Sequence, residues 1–221
     1  MEKPFGIEAL QDRLVSNPAS FVVVLSGPAG AGKTTIRQGL LECDNTLRVC
    51  VTTTTRAKRL NEVDGVDYHF VSEDAFRAGL KQGCFFEWAE VYGFLYGATF
   101  EAIAHALGQG GVVLLVADVQ GAATWKRLLG KRCVSVFVLP PSVKVLEQRL
   151  GGRKTEAGGV LMRRLENARS ELAKAVEFDY LVVNRELDRA ISDVQELIRV
   201  ERRRPWRMPD LLDEFGRRNV P

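Results

Sequence analysis

The apolar run from Phe21 to Leu25 leads directly into Ser26-Gly27-Pro28-Ala29-Gly30-Ala31-Gly32-Lys33-Thr34-Thr35. That junction restricts the fold more than any other stretch of the chain. Gly27, Gly32, Lys33 and Thr34 match G-x-x-x-x-G-K-[ST], which needs a buried strand before it and a helix after it. The glycines let backbone N–H groups turn inward around phosphate oxygens, and the helix that follows, expected over 33–41, offers its N-terminus. Lys33 supplies a point charge, and the Thr34 hydroxyl is placed to bind Mg²⁺. Residues 27–35 are therefore read as a phosphate-binding loop.

The rest of the chain supplies matching strands. Gly110 to Gly121, "GGVVLLVADVQG", holds the continuous apolar run of a strand buried on both faces of a parallel sheet, and Val134–Ser142 and Asp179–Asn184 repeat the pattern. Arg48–Thr52 and Val66–Val71 are also strand material. Ser72 is placed to cap a helix with Glu73 and Asp74 in its first turn and an end near Gly83. Ile7, Leu10, Leu14 and Val15 share one face of a short helix over 7–15 that should dock on the domain. Phe85, Trp88 and Val91 are expected in walls and core. Apolar strands separated by helix-length segments imply right-handed crossovers, hence an α/β fold with ligands at the carboxyl ends of a parallel sheet. Gly151 to Gly159 reads as a mobile loop or lid, and the segment from Glu201 as a helix end followed by a loosely held tail.

At 221 residues the chain suits one domain. Its 46% hydrophobic and 27% charged content is that of a soluble globular protein. No apolar run approaches the roughly 18 residues of a membrane span, so no membrane partner is expected. A net charge of +3 is too small to argue for nucleic acid. Arg202, Arg203, Arg204, Arg207, Arg217 and Arg218 have only Trp206 and Phe215 as aromatic neighbours in the tail, so they are read as solvated. Cys43, Cys50, Cys84 and Cys133 lack metal spacing and read as buried thiols in a reducing cytosol. The N-terminus lacks the pattern of a signal peptide, and a cytoplasmic location is expected.

The loop alone fits GTPases, ATPases, motors and small-molecule kinases equally. "VVNRELD", at 182–188, is not a guanine-reading N-K-x-D signature. The acceptor has to be read elsewhere. Thr52 to Tyr68 gathers Arg56, Arg59, Glu62 and Tyr68, and two guanidinium forks with a phenol suit a phosphate monoester.

At this point the chain resembles the guanylate kinases, which move the γ-phosphoryl group of ATP to GMP. The resemblance covers nearly all of residues 21–200. It rests on the phosphate loop, "TTR-x-x-R-x-x-E-x-x-G-x-x-Y" from Thr54 to Tyr68, "FFEWAEVYGFLYG" from Phe85, "DVQG" from Asp118, "LPPS" from Leu139, and the pieces around Arg153 and Arg164. It implies a three-layer P-loop kinase fold with a parallel sheet, a GMP-binding subdomain inserted at about 52–98 and a mobile lid at about 140–165. The core would be about 20–51, 99–139 and 166–200, with a tail at about 202–221.

The resemblance assigns Arg56, Arg59, Tyr68 and Tyr96 to the GMP phosphate, with Glu62 in the same group. It assigns Thr52, Glu87 and Asp118 to the guanine. Lys33, Arg149, Arg153 and Arg164 would surround the transferring phosphoryl, and Asn184 would join Gly27, Pro28, Ala29, Gly30, Ala31, Gly32, Lys33, Thr34 and Thr35 at ATP. Mg²⁺ is the implied cofactor, and a monomer or homodimer the implied assembly. The chemistry agrees, because guanine presents N1–H and N2–H donors that a carboxylate accepts and adenine lacks.

Three positions depart from the pattern. Val116 stands where the family has the first acid of D-x-D, Ala98 replaces a hydroxyl with only Thr99 beside it as a substitute, and Lys154 replaces a lid glycine. These departures keep two other readings open: a non-catalytic guanylate-kinase-like module that binds phosphopeptides, and a P-loop kinase for another small phosphate ester.

Overall fold

Alternation along the central strand decides the layering. In the computed structural model, which describes residues 6–108, 111–151 and 158–214, β1 (Phe21–Ser26) is buried along its whole length. Phe21, Val23 and Leu25 point to one face, and Val22 and Val24 to the other. With β2 (Leu47–Val49), β7 (Val112–Val116), β8 (Cys133–Leu139) and β9 (Tyr180–Val183) it forms a parallel sheet of order β2-β7-β1-β8-β9.

On one face lie α2 (Lys33–Cys43) and α8 (Leu187–Glu201), packing Ile36, Leu40, Ile191, Val194 and Ile198 against Val23, Leu25, Leu114 and Val136. On the other lie α1 (Ile7–Ser16), α4 (Phe100–Gly108) and α5 (Val119–Leu129), which bring Leu10, Leu14, Ile103, Leu107, Ala122 and Trp125 onto Val22, Val24, Val113 and Leu115. The result is the expected three-layer α/β fold.

Between β2 and β7 the chain builds a second sheet from β3 (Thr53–Thr54), β4 (His69–Phe70), β5 (Phe85–Val91) and β6 (Phe94–Thr99), in the order β4-β3-β6-β5. A helix, α3 (Glu73–Lys81), lies between β4 and β5 in the chain and stacks Phe76 on Phe85, and Ser72 caps it as expected by accepting from the Ala75 N–H at 3.2 Å. β5 and β6 join through the two-residue turn Tyr92-Gly93, both with positive φ, the backbone that such tight hairpins require. After β8 come α6 (Val143–Gly151) and α7 (Gly158–Ala173), which pack Leu146 on Ala168 and on Ala29 of the glycine loop.

Several expectations need correction. Val15 is 65% exposed, whereas Leu10 and Leu14 are buried against the domain with Ile7 packed beside them. Trp88 is half exposed on the second sheet rather than core. β9 is an edge strand with Leu181 and Val183 exposed, so its apolar run does not mark burial on both faces. Cys43 and Cys84 are exposed; only Cys50 and Cys133 are buried, where burial pushes both thiols up to about 12 and leaves them inert. No described helix is long and apolar enough to cross a membrane.

The largest correction concerns the tail, which docks as far as α9 (Pro209–Glu214). Arg207 is 2% exposed and lies 3.8 Å from the Phe21 ring centroid and 4.2 Å from that of Trp206. It donates to the Lys131 carbonyl and pairs with the buried Glu201 at 3.3 Å. Burial pushes its guanidinium down to about 10 even with Glu201 beside it. Arg202 pairs with Asp44 and Arg204 with Glu201, although Arg203 and Arg204 remain exposed to solvent, and Arg217 and Arg218 lie outside the described residues. Removing one partner of a buried pair strands the other charge. Arg207→Ala is therefore expected to cost about 3 kcal/mol, or about 9 °C in Tm. A thermal unfolding scan checks this, and a shift under about 2 °C would contradict the docking.

Candidate active site

The carboxyl ends of the main sheet face the second sheet across a cavity of about 660 Å³. The glycine loop leaves β1 and enters α2 beneath it, and Gly27 and Gly32 adopt positive φ. A side chain at Gly27 would run into the Val138 carbonyl, and one at Gly32 into the Asn184 amide, so both positions need glycine. Lys33 folds its ammonium over the loop and donates to the Gly27 and Pro28 carbonyls. Gly27, Ala29, Gly30, Gly32, Lys33, Thr34 and Thr35 line the cavity, whereas Pro28 and Ala31 are buried beneath the loop and do not.

Asn184, at the end of β9, lines the cavity but is mostly buried. Its side-chain amide donates to the Ala31 carbonyl at 2.8 Å, which ties the far edge of the sheet to the loop. Arg149, on α6, is exposed, lines the same cavity and donates to the Gly30 carbonyl at 3.2 Å. Arg153 lies outside the described residues, and only the backbone of Arg164, on α7, is described.

Across the cavity stand Thr52, Arg56, Arg59, Tyr68 and Tyr96. Arg56 lies over the rings of Tyr68 and Phe70, and Tyr68 meets Tyr96 edge to face at 6.0 Å. Glu62 does not line the cavity; it organises the arginines. One carboxylate oxygen accepts from Arg56 at 2.7 Å and the other from the Arg59 backbone N–H at 2.8 Å. Burial alone would raise the Glu62 carboxyl, but these hydrogen bonds outweigh it and hold it below its usual range. Two cations are thus held pointing at open space, which is the arrangement that binds a phosphate dianion.

At the inner end, Glu87 on β5 is 7% exposed and Asp118 caps α5, accepting from the Gln120 and Gly121 N–H groups. Burial pushes the Glu87 carboxyl up to about 7; the Trp125 N–H pulls it down and Asp118 pushes it further up. Val116 lines the cavity as an apolar patch near Asp118. Ala98 is fully buried away from the cavity, and the Thr99 hydroxyl accepts from the Ala102 N–H at 3.1 Å. Thr99 therefore starts α4 and does not replace the missing contact.

Sequence reasoning missed several residues, among them Glu171, Arg37, Asp67 and Tyr92. Glu171, on α7, lines the cavity; its Oε2 is buried without a hydrogen-bond partner, and burial pushes the carboxyl up to about 7 although Lys33 pulls the other way. A lone Glu inside a helix gives no signal. Arg37, on α2, pairs with Asp67 at 2.8 Å and so links the helix of the glycine loop to the segment carrying Tyr68. Their separation of 30 residues hides the pair. Tyr92 reaches the cavity through its left-handed turn, for which only the following Gly93 was a cue.

The guanylate kinase family model matches residues 20–201. A guanylate kinase of Mesorhizobium japonicum is 42% identical over 192 residues, which is 87% of this chain and 88% of that protein. One of Chromobacterium violaceum is 37% identical over 206 residues, covering 91% and 98%. The crystal structure of guanylate kinase from Anaplasma phagocytophilum superposes with a TM-score of 0.74 at 29% identity, over 91% of this chain and 97% of that one. A glycine loop and an arginine-tyrosine cluster that face each other across one cavity agree with these likenesses, and the chain belongs to the guanylate kinase family.

Proposed function

We propose that this chain transfers the γ-phosphoryl group of ATP to GMP, giving ADP and GDP, with the roles of its residues divided across the cavity. The observation that carries this reading is the juxtaposition of Lys33 and its loop with Arg56, Arg59, Tyr68 and Tyr96 around one space. A phosphate oxygen of GMP attacks the γ-phosphorus, and the bond from that phosphorus to the bridging oxygen breaks with its electrons going to ADP. Little covalent assistance is needed, so the protein's work is alignment and charge stabilisation.

In this reading Arg56, Arg59, Tyr68 and Tyr96 hold the GMP phosphate, and Glu62 keeps the arginines in place. Glu87, Asp118 and Thr52 read the guanine. Lys33, Arg149, Arg153 and Arg164 surround the moving phosphoryl, while Asn184 supports the loop at the adenosine side. Residues 52–98 form the GMP-binding part and 140–165 the lid; bringing them together would exclude water from the transfer. The enzyme would work in the cytoplasm as a monomer or homodimer, without nucleic-acid partners.

The side chains present suit Mg²⁺. No described cluster of three or more His, Cys, Asp or Glu side chains cages a metal, so the ion would be shared with nucleotide oxygens. Thr34, in the first turn of α2, and Glu171 both line the cavity, and Glu171 Oε2 is buried without a hydrogen-bond partner. Thr34 would hold the ion and Glu171 would face its hydration shell. Mg²⁺ bound to ATP neutralises phosphate charge.

Labelling the γ-phosphorus of ATP tests the transfer. The label is expected in the terminal phosphate of GDP, in proportion to the ADP formed. Label appearing only as inorganic phosphate would overturn the reading.

A further inference from the structure

Behind the cavity, Glu87 meets a residue for which the reaction gives no role. Trp125, on α5, is fully buried with its ring 4.4 Å from that of Phe86, and its indole N–H donates to Glu87 Oε2 at 3.1 Å. The other carboxylate oxygen faces Gly121, one turn earlier on the same helix, where a Cβ would come within 2.5 Å of Oε1. One helix thus grips both oxygens, with a donor on one and a space that only glycine leaves on the other. We propose that Trp125 is a positioning residue for acceptor choice, whose N–H orients the Glu87 carboxylate and favours its charged form for reading the guanine edge. This rests on the assignment of Glu87 to guanine made above.

The balance of forces supports it. An indole N–H only donates, so it stabilises a carboxylate more than a protonated acid. The groups facing Glu87 otherwise oppose its charge or are neutral: Asp118 at the cap of α5 repels it, and the Cys50 thiol beyond β2 stays protonated. Ala98 offers no hydroxyl to share the reading of guanine. A neutral Glu87 would present an O–H to the guanine donors and lose one of the two acceptances that exclude adenine.

The test compares the parent with Trp125→Phe, which keeps an aromatic ring and deletes the donor. Near pH 7 the variant's KM for GMP is expected to rise about tenfold, with kcat and the KM for ATP within about twofold. Deleting a donor to the charged form raises the Glu87 pKa, so charge is regained only at higher pH. The ratio of variant to parent KM should therefore fall toward about threefold by about pH 8.5. A ratio that is flat with pH, or a loss spread over kcat and both KM values together with a lower Tm, would overturn the proposal as a merely structural effect.

Indole N–H resonances of the isotope-labelled parent give a readout that does not depend on the variant folding. Of the three tryptophan signals, that of Trp125 should move with pH as Glu87 titrates and should stop moving in Glu87→Gln. A pH-independent signal in the parent would overturn the proposal. Glu87→Gln also separates the two levels of the argument. An unchanged KM for GMP in Glu87→Gln would remove the guanine assignment itself and the proposal with it, whereas a raised KM there beside a flat Trp125→Phe ratio would remove only the role of Trp125.

Discussion

Lys33→Ala is expected to lower kcat by about 10³-fold, the scale on which removal of one preorganised charge at a site of developing charge acts. The side chain is already folded over the loop, where its ammonium donates to the Gly27 and Pro28 carbonyls, so little ordering is needed when phosphate arrives. Its charge matters most when the transferring phosphoryl spreads negative charge over its oxygens. In the proposed division of roles GMP is held across the cavity by other residues, so calorimetric binding of GMP should stay within about twofold of the parent. Single-turnover measurement of ADP formation checks the first part, and a loss under about tenfold would contradict the assigned role.

Glu87→Gln carries the second large effect. In the parent both carboxylate oxygens can accept, and guanine offers two donors side by side. The amide turns one acceptor into a donor and sets it against a guanine donor in a buried place. A site built on hydrogen bonds discriminates steeply, and kcat/KM for GMP is expected to fall about 10³-fold. AMP lacks those donors, so its slow turnover should not fall in parallel. A steady-state comparison of the two acceptors decides the matter; equal losses for GMP and AMP would show that Glu87 does not choose between them.

How much of this was legible in the sequence follows from the range of the interactions. The glycine loop was, because its motif is local and its geometry is set by glycines a few residues apart. β1, β7 and β8 were, because burial on both faces leaves a continuous apolar run. β9 has the same run at the edge of the sheet, and composition alone does not distinguish the two settings. Arg207 read as solvated because an arginine in a tail usually is; its burial depends on Phe21, Lys131 and Glu201, two of them far away in sequence.

The site shows the same division. Arg56, Arg59, Tyr68 and Glu62 sit in one short segment, so their grouping was visible, but the structure shows that Glu62 serves the arginines and lies outside the cavity lining. The Trp125 bond to Glu87 spans 38 residues and two elements, and nothing local announces it. Thr99 was a reasonable replacement for the hydroxyl missing at Ala98 until its role at the start of α4 became visible.

The central claim is that the cavity takes GMP as acceptor and ATP as donor. Mg²⁺-dependent ADP formation from ATP, measured with GMP, AMP, UMP or no acceptor, tests it most directly. The account predicts fast ADP formation with GMP and near-background rates with the other three. GMP that binds without producing ADP would contradict it in favour of a binding module, and turnover indifferent to the base would show that Glu87, Asp118 and Thr52 do not read guanine.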